Sequence, residues 1–242
     1  MITKNKGINI LKKYAIINYN DEEMNSLKYE EAKAKDNRTY CQYYLSLLRT
    51  KHILIFSLCQ LRDYNSRSIK IYIFFLTFAV NYLVSAMFYS DSTMHKIYLD
   101  KGSFDLAYQL PQIIYSFIIS TVLKTILNIF GLYEQNIITL KNKKDKSVTQ
   151  KNILSLIRCK IAFFFVITFM LMIFLWFYLG CFCAVYKNTQ IHLLLDVTAS
   201  FALSFISPFF IYLLPGIFRL PSLKKKENKP YMFKFSKLLQ LL

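Results

Sequence analysis

Residues 161–186 read IAFFFVITFMLMIFLWFYLGCFCAVY, a run without one Asp, Glu, Lys or Arg. A helix rises about 1.5 Å per residue and the hydrocarbon core of a bilayer is about 30 Å thick, so this run is long enough to cross. A helix that is apolar on every side belongs in lipid or in the heart of a large protein, and 242 residues offer little room for the second. Working outward, the same reading finds spans at 71–89, at about 107–132 and at about 193–218. The predicted fold is all-α: a polytopic membrane protein with four transmembrane helices and an interfacial amphipathic helix before them.

The composition agrees. The chain is 55% hydrophobic and 17% aromatic, with mean hydropathy +0.30, well beyond an ordinary soluble domain. Only 5 Gly and 5 Pro exclude collagen-like and low-complexity chains. Residues 1–20, MITKNKGINILKKYAIINYN, lack the apolar core of roughly 7–15 residues that a cleaved signal peptide carries, so the first membrane helix is expected to direct insertion.

The formal net charge of +17 first suggests nucleic acid, but its distribution points to a membrane. Thirteen Lys and Arg fall in residues 1–70, seven in 133–160 and seven in 219–242. The loops between hold two (Lys96, Lys101) and one (Lys187), and Lys124 lies within a span. Cytoplasmic loops carry the excess of Lys and Arg, so the pattern predicts a membrane location with both N- and C-termini cytoplasmic. It accounts for the charge without nucleic acid and makes anionic lipid headgroups the expected partners of the basic loops. Residues 1–40 are read as a charged, largely disordered cytoplasmic segment. Residues 41–70 form an interfacial region, 71–219 the four-helix bundle and 220–242 a basic cytoplasmic tail. Within 41–61, CQYYLSLLRTKHILIFSLCQL, the cations Arg49 and Lys51 and His52 interrupt the apolar run. An interfacial helix with its apolar face in lipid fits this pattern. The tail segment FKFSKLLQLL (233–242) reads as a second short amphipathic helix on the membrane.

The second span carries a polar stripe, Gln109, Gln112, Ser116, Ser120, Lys124 and Asn128, spaced three or four residues apart on one helix face. The first span offers Thr77, Asn81 and Ser85, and the fourth Asp196, Ser200, Ser204 and Ser207. Hydrocarbon satisfies none of these groups, so the three faces are expected to turn toward one another, leaving the third span the most lipid-exposed. A Lys124–Asp196 pair is not expected, since their depths differ by about 20 Å at about 1.5 Å per residue. Lys124 is expected to snorkel to the cytosolic interface and Asp196 to sit at the external headgroups. Pro111, Pro208 and Pro215 are expected to kink or hinge their helices.

No catalytic, cofactor or metal site is expected. The five cysteines, Cys41, Cys59, Cys159, Cys181 and Cys183, have no zinc-type spacing, though Cys59 and Cys159 lie where palmitoylation is possible. His95 and Asp100 have the H-x4-D spacing of some acyltransferases but lack an accompanying glycine-rich phosphate site, so they are read as a chance match. Asn37-Arg38-Thr39 is a glycosylation sequon that the predicted topology places in the cytosol, unmodified.

SLLRTKHILIFSL (46–58), DYNSRSIKIYIFF (63–75), DSTMHKIY (91–98), YQLPQIIYS (108–116), CFCAVYKNTQIHL (181–193) and LLPGIFRLPSL (213–223) carry a resemblance. Residues 41–242 resemble the C-terminal multi-pass membrane module of large uncharacterised protist surface proteins of ciliate type. The resemblance implies a helical membrane region behind a long extracellular region and transfers no catalytic or binding residue. That long region is not found in these 242 residues, which leaves a small protein, a duplicated fragment and the last piece of a larger one as open readings. Two functions are in play: a non-enzymatic module that anchors or assembles a membrane or surface protein, and a channel or transporter subunit using the polar faces. The second would need a homo-oligomer or a membrane partner.

Overall fold

The structure, a computed structural model, describes residues 19–101, 103, 105–142, 147–187, 189–224 and 229–240. Among the described residues every regular element is a helix. The N-terminal part forms α1 (Asp21–Ser26), α2 (Tyr29–Lys35), α3 (Tyr40–Lys51) and α4 (Ile53–Leu58). There follow α5 (Arg67–Met87), α6 (Asp91–Leu99), α7 (Leu106–Gly131), α8 (Glu134–Asn142) and α9 (Ser147–Val185). The chain continues through α10 (Gln190–Ile211), α11 (Leu213–Leu223) and α12 (Pro230–Leu239). Among the described residues, four helical stretches are long and apolar enough to cross a membrane: α5, α7, Lys151–Val185 within α9, and Gln190–Leu223 across α10 and α11. The all-α polytopic class is therefore as expected. The fourth stretch breaks at Tyr212, between α10 and α11. Pro215 explains the break, because it has no N–H to give the carbonyl of Ile211 four residues back. Pro111 and Pro208 stay inside their helices.

The chain divides into two compact units, one of Met1–Tyr64 with Ile206–Leu242 and one of Asn65–Phe205. In the second unit, Ile73, Leu76, Val80 and Val84 of α5 pack with Leu127 of α7 and Phe164 of α9. The helices approach closely at Gly131, where a Cβ would lie 2.9 Å from Ile73 Cδ1 and 3.0 Å from Phe164 Cε2. A second cluster joins Ala86, Tyr89, Ile97, Phe182, Leu193 and Val197, drawing in α6 and α10. The apolar window of α5 is 56% buried and that of α9 only 17%, so α5 is the central helix and α9 faces outward. Phe169, Met170, Trp176 and Phe177 of α9 are all exposed, as suits a lipid-facing surface. Lipid tails are as apolar as Leu, so burial alone does not choose which faces of these helices meet, and small residues and polar pairs must.

The first unit shows packing that the sequence reading did not supply. Residues 21–35, expected to be disordered or weakly helical, form the two short helices α1 and α2; residues 1–18 lie outside the described residues. A reciprocal capping box starts α1, with the Glu23 N–H donating to Asn20 Oδ1 at 2.7 Å and the Asn20 N–H to Glu23 Oε2 at 2.9 Å. Met24, Leu27 and Ala32 then pack on Phe233 of α12, an apolar interface too short to register in a charged sequence. The helix expected to lie with its apolar face in lipid is two helices that meet at His52, and Tyr43, Leu47 and Leu48 of α3 are buried against Tyr212. In the tail, α11 continues to Leu223, and α12 buries Phe233 and Ser236 on protein while Tyr231, Phe235 and Leu238 stay exposed.

Candidate functional site

Two polar junctions are embedded among the apolar helices, one in each unit. The first uses the predicted stripe. Of its residues, Gln109, Ser116 and Ser120 are buried, and Gln112, Lys124 and Asn128 are half-buried. Ser120 Oγ donates to Asn81 Oδ1 of α5 at 3.0 Å, and Ser200 Oγ of α10 donates to the same oxygen at 2.8 Å. The Asn81 amide donates in turn to the carbonyl of Val197 at 3.4 Å. Two helical turns away on α7, and just past the C-terminal end of α5, a second layer forms around Asp196. The Tyr89 hydroxyl donates to Asp196 Oδ2 at 2.6 Å and Gln112 Nε2 donates at 3.1 Å. Polar faces of α5, α7 and α10 thus close on one another, joining three helices through two residues, Asn81 and Asp196.

Asp196 carries the second layer. Beyond the headgroup depth expected for it, Asp196 is covered by protein and only 1% exposed. It lies one turn from Ser200 on the face that α10 turns toward α5, and the donors that hold it, a phenol and a carboxamide, are neutral. The expectation that Lys124 stands apart fits the register: Lys124 is twelve residues beyond Gln112 on α7, about 18 Å along the axis. Between the two layers lie Ser85 and Ser116, each 1% exposed, whose hydroxyls have no protein hydrogen-bond partner. The same holds for Gln109 Oε1, Asn128 Oδ1 and the second carboxylate oxygen of Asp196. Thr77 bonds only its own helix, donating to the Ile73 carbonyl at 2.7 Å, and Ser204 does likewise to Phe201 at 2.6 Å. Ser207 is half-buried.

The second junction is ionic and was not anticipated. Arg219, counted in the sequence as a headgroup cation, is 0% exposed within α11. Its Nη2 and Nε donate to Asp36 Oδ2 at 2.9 and 3.2 Å, and Nη2 also reaches the Met24 carbonyl at 3.1 Å. Arg38 meets the same carboxylate with Nε on Oδ1 and Nη2 on Oδ2, both at 2.9 Å. Its Nη1 donates to Asn25 Oδ1 at 3.0 Å and Ser46 Oγ at 2.9 Å. The Tyr43 ring faces both guanidiniums, at 5.2 Å from Arg38 and 5.0 Å from Arg219, and the Phe233 ring lies 4.8 Å from Arg219. Burial pushes the Asp36 carboxyl up, but the hydrogen bonds and charges of Arg38 and Arg219 outweigh burial and hold it below the usual carboxylate value. Lys237 and Tyr29 tie the surrounding helices, donating to the carbonyls of Ser26 at 2.9 Å and Ser222 at 3.2 Å. The sequence does hold a signal for this junction: Arg219 stands alone in LLPGIFRLPSL, and a cation in such a run demands a partner.

The remaining candidates lie apart from both junctions. His95 is exposed on α6 and Asp100 is its C-terminal cap. Cys41, Cys59, Cys159 and Cys181 are free and exposed, and Cys183 is free and partly buried. Asn37 of the sequon is exposed beside the buried Arg38. The chain matches no protein-family model, no curated protein and no solved structure.

Proposed function

We propose that this chain is a non-enzymatic multi-pass membrane module that anchors or assembles a membrane protein, with both termini on the cytoplasmic side. The observation that carries this reading is the closure of the polar faces. Asn81 bonds both neighbouring helices, and Asp196 is held from both sides by Tyr89 and Gln112. Interhelical polar contacts of this kind supply association that lipid does not, about 0.6 kcal/mol each on average in membranes. A bundle built this way holds itself together and leaves its outer surface, chiefly α9, to lipid or to a partner helix. The basic count of the three cytoplasmic segments supports the orientation.

The competing reading, a channel or transporter subunit, draws on one observation. The hydroxyls of Ser85 and Ser116, Gln109 Oε1 and one oxygen of Asp196 lack protein partners inside the same junction. Reconstitution of the full chain in sealed liposomes separates the two. The anchor reading expects sodium, potassium and proton fluxes equal to those of protein-free vesicles. Flux that Gln112→Ala or Ser120→Ala abolishes, with helicity intact, would establish the transport reading instead.

A further inference from the structure

The two bonded layers of the second unit bracket a third level between them. Asn81, Ser120 and Ser200 meet in the first layer. One helical turn from each stand Ser85, Ser116 and Asp196. All three steps lead toward the second layer, because α5 runs from Asn81 toward Tyr89 while α7 runs back from Ser120 to Gln112. Each of the three residues presents an oxygen without a hydrogen-bond partner: the Ser85 and Ser116 hydroxyls and Asp196 Oδ1. Each residue is 1% exposed. Gln109 lies two turns beyond Ser116 on α7, about 10 Å along the axis, so its unpartnered oxygen stands apart from them.

Asp196 decides what ligand suits this level. A buried charge is paired or it coordinates a cation. Among the described residues Asp196 makes no ion pair, and its two donors, both neutral, bond Oδ2. Lys124 is eight residues from Ser116 on α7, about 12 Å along the axis. A proton on Oδ1 would serve one oxygen, whereas a cation draws all three together and cancels the charge. One carboxylate and two hydroxyls form a hard oxygen set, which suits alkali and alkaline-earth ions. A divalent ion would leave one positive charge over in a dry layer, and calcium takes about six to eight oxygens. We propose that Asp196 Oδ1, Ser85 Oγ and Ser116 Oγ bind a monovalent alkali cation between α5, α7 and α10. Tyr89 and Gln112 hold the other carboxylate oxygen, so the bonds that join the helices do not need the cation. The site goes beyond the anchoring role, which the liposome fluxes test separately.

The test is a scintillation proximity measurement of radioactive sodium on the purified full chain in detergent, against a choline background. The wild type should bind one sodium per chain, saturably. Three protein oxygens are about half of what tight cation sites supply, so the Kd should be on the order of 10 mM. Asp196→Asn should bind none above background while keeping wild-type helicity. Ser116→Ala, which keeps the carboxylate, should weaken binding about tenfold, as loss of one contact to a charged group does. Asp100→Asn, which removes the same charge at the exposed end of α6, should bind as the wild type does. In choline, too large for this level, the stability of Asp196→Asn reports the hydrogen bonds alone. No saturable binding by the wild type, or binding that survives Asp196→Asn, overturns the proposal. An infrared band of a protonated carboxyl that persists in saturating sodium and disappears in Asp196→Asn also overturns it, since a proton then holds the place of the cation.

Discussion

The side chain of Asp36, 4% exposed, and Asp196, 1% exposed, sit at the centres of the two polar junctions, and they are held by opposite means. Asp36 has two guanidiniums on its carboxylate, whereas Asp196 has a phenol and a carboxamide on one of its oxygens. The first arrangement neutralises charge with charge and ties α11 to the loop ahead of α3. The second offers only dipoles and ties α5, α7 and α10. The contrast follows from where each sits in the sequence. The loop around Asp36 belongs to a segment dense in Lys, Arg, Asp and Glu, so ionic partners are at hand, while α5, α7 and α10 supply almost none.

Removing charge while keeping shape should break the comparison. Asp36→Asn should cost about 3–5 kcal/mol, since it leaves Arg219 buried without a counterion. Limited proteolysis of residues 19–64 should report that loss as much faster cleavage. Asp36→Leu/Arg38→Met/Arg219→Met, which removes the carboxylate with both of its guanidiniums, should recover most of it. Acid should act through the same group. Asp36 is held below its ordinary value, so its stabilisation is complete above the usual carboxylate range and is lost as pH falls through the depressed value. Protease resistance of the first unit should therefore fall on acidification below about pH 4, where unperturbed carboxyls titrate. Asp36→Asn should lack this dependence.

Smaller effects belong to the second unit. Asn81→Ala removes a residue that bonds two helices and should cost about 1–3 kcal/mol in detergent unfolding, since Ser120 and Ser200 lose their common acceptor. Gly131→Ala should cost a similar amount, about 1–3 kcal/mol, by forcing apart Ile73 and Phe164. Asp196→Asn should cost less than about 1 kcal/mol, because an amide oxygen still accepts from Tyr89 and Gln112. A cost as large as that of Asp36→Asn would mean that the charge of Asp196 is itself required, and the distinction between the junctions would fail. Gly180→Ala, with nothing within 4 Å of the new methyl, should be neutral or slightly stabilising.

Hydrophobic runs made the four crossing stretches legible, and helical spacing made the polar stripe of α7 legible, because both are periodic properties of a single helix. The partners of that stripe could be named in kind from Asn81 and Ser200, since hydrocarbon leaves such groups no alternative. The burial of Asp196 was not legible, because depth along one helix says nothing about what a neighbouring Tyr89 covers. The ionic junction stayed hidden for a different reason. Asp36 and Arg219 are 183 residues apart, and neither lies in a repeating pattern. The packing of Met24 and Ala32 on Phe233 of α12 is likewise a long-range contact that local charge density does not report.

The central claim is that the polar faces of α5, α7 and α10 are closed on each other. Ser116 lies between the two bonded layers, so it tests this most directly. With Ser116→Cys introduced and the five native cysteines replaced by Ser, a membrane-impermeant thiol reagent is applied to sealed membranes from each side in turn. Closure predicts that the new thiol stays unlabelled from both sides and reacts only after denaturation. Rapid labelling of the folded chain from either side would contradict it, since water would then reach the middle of the junction.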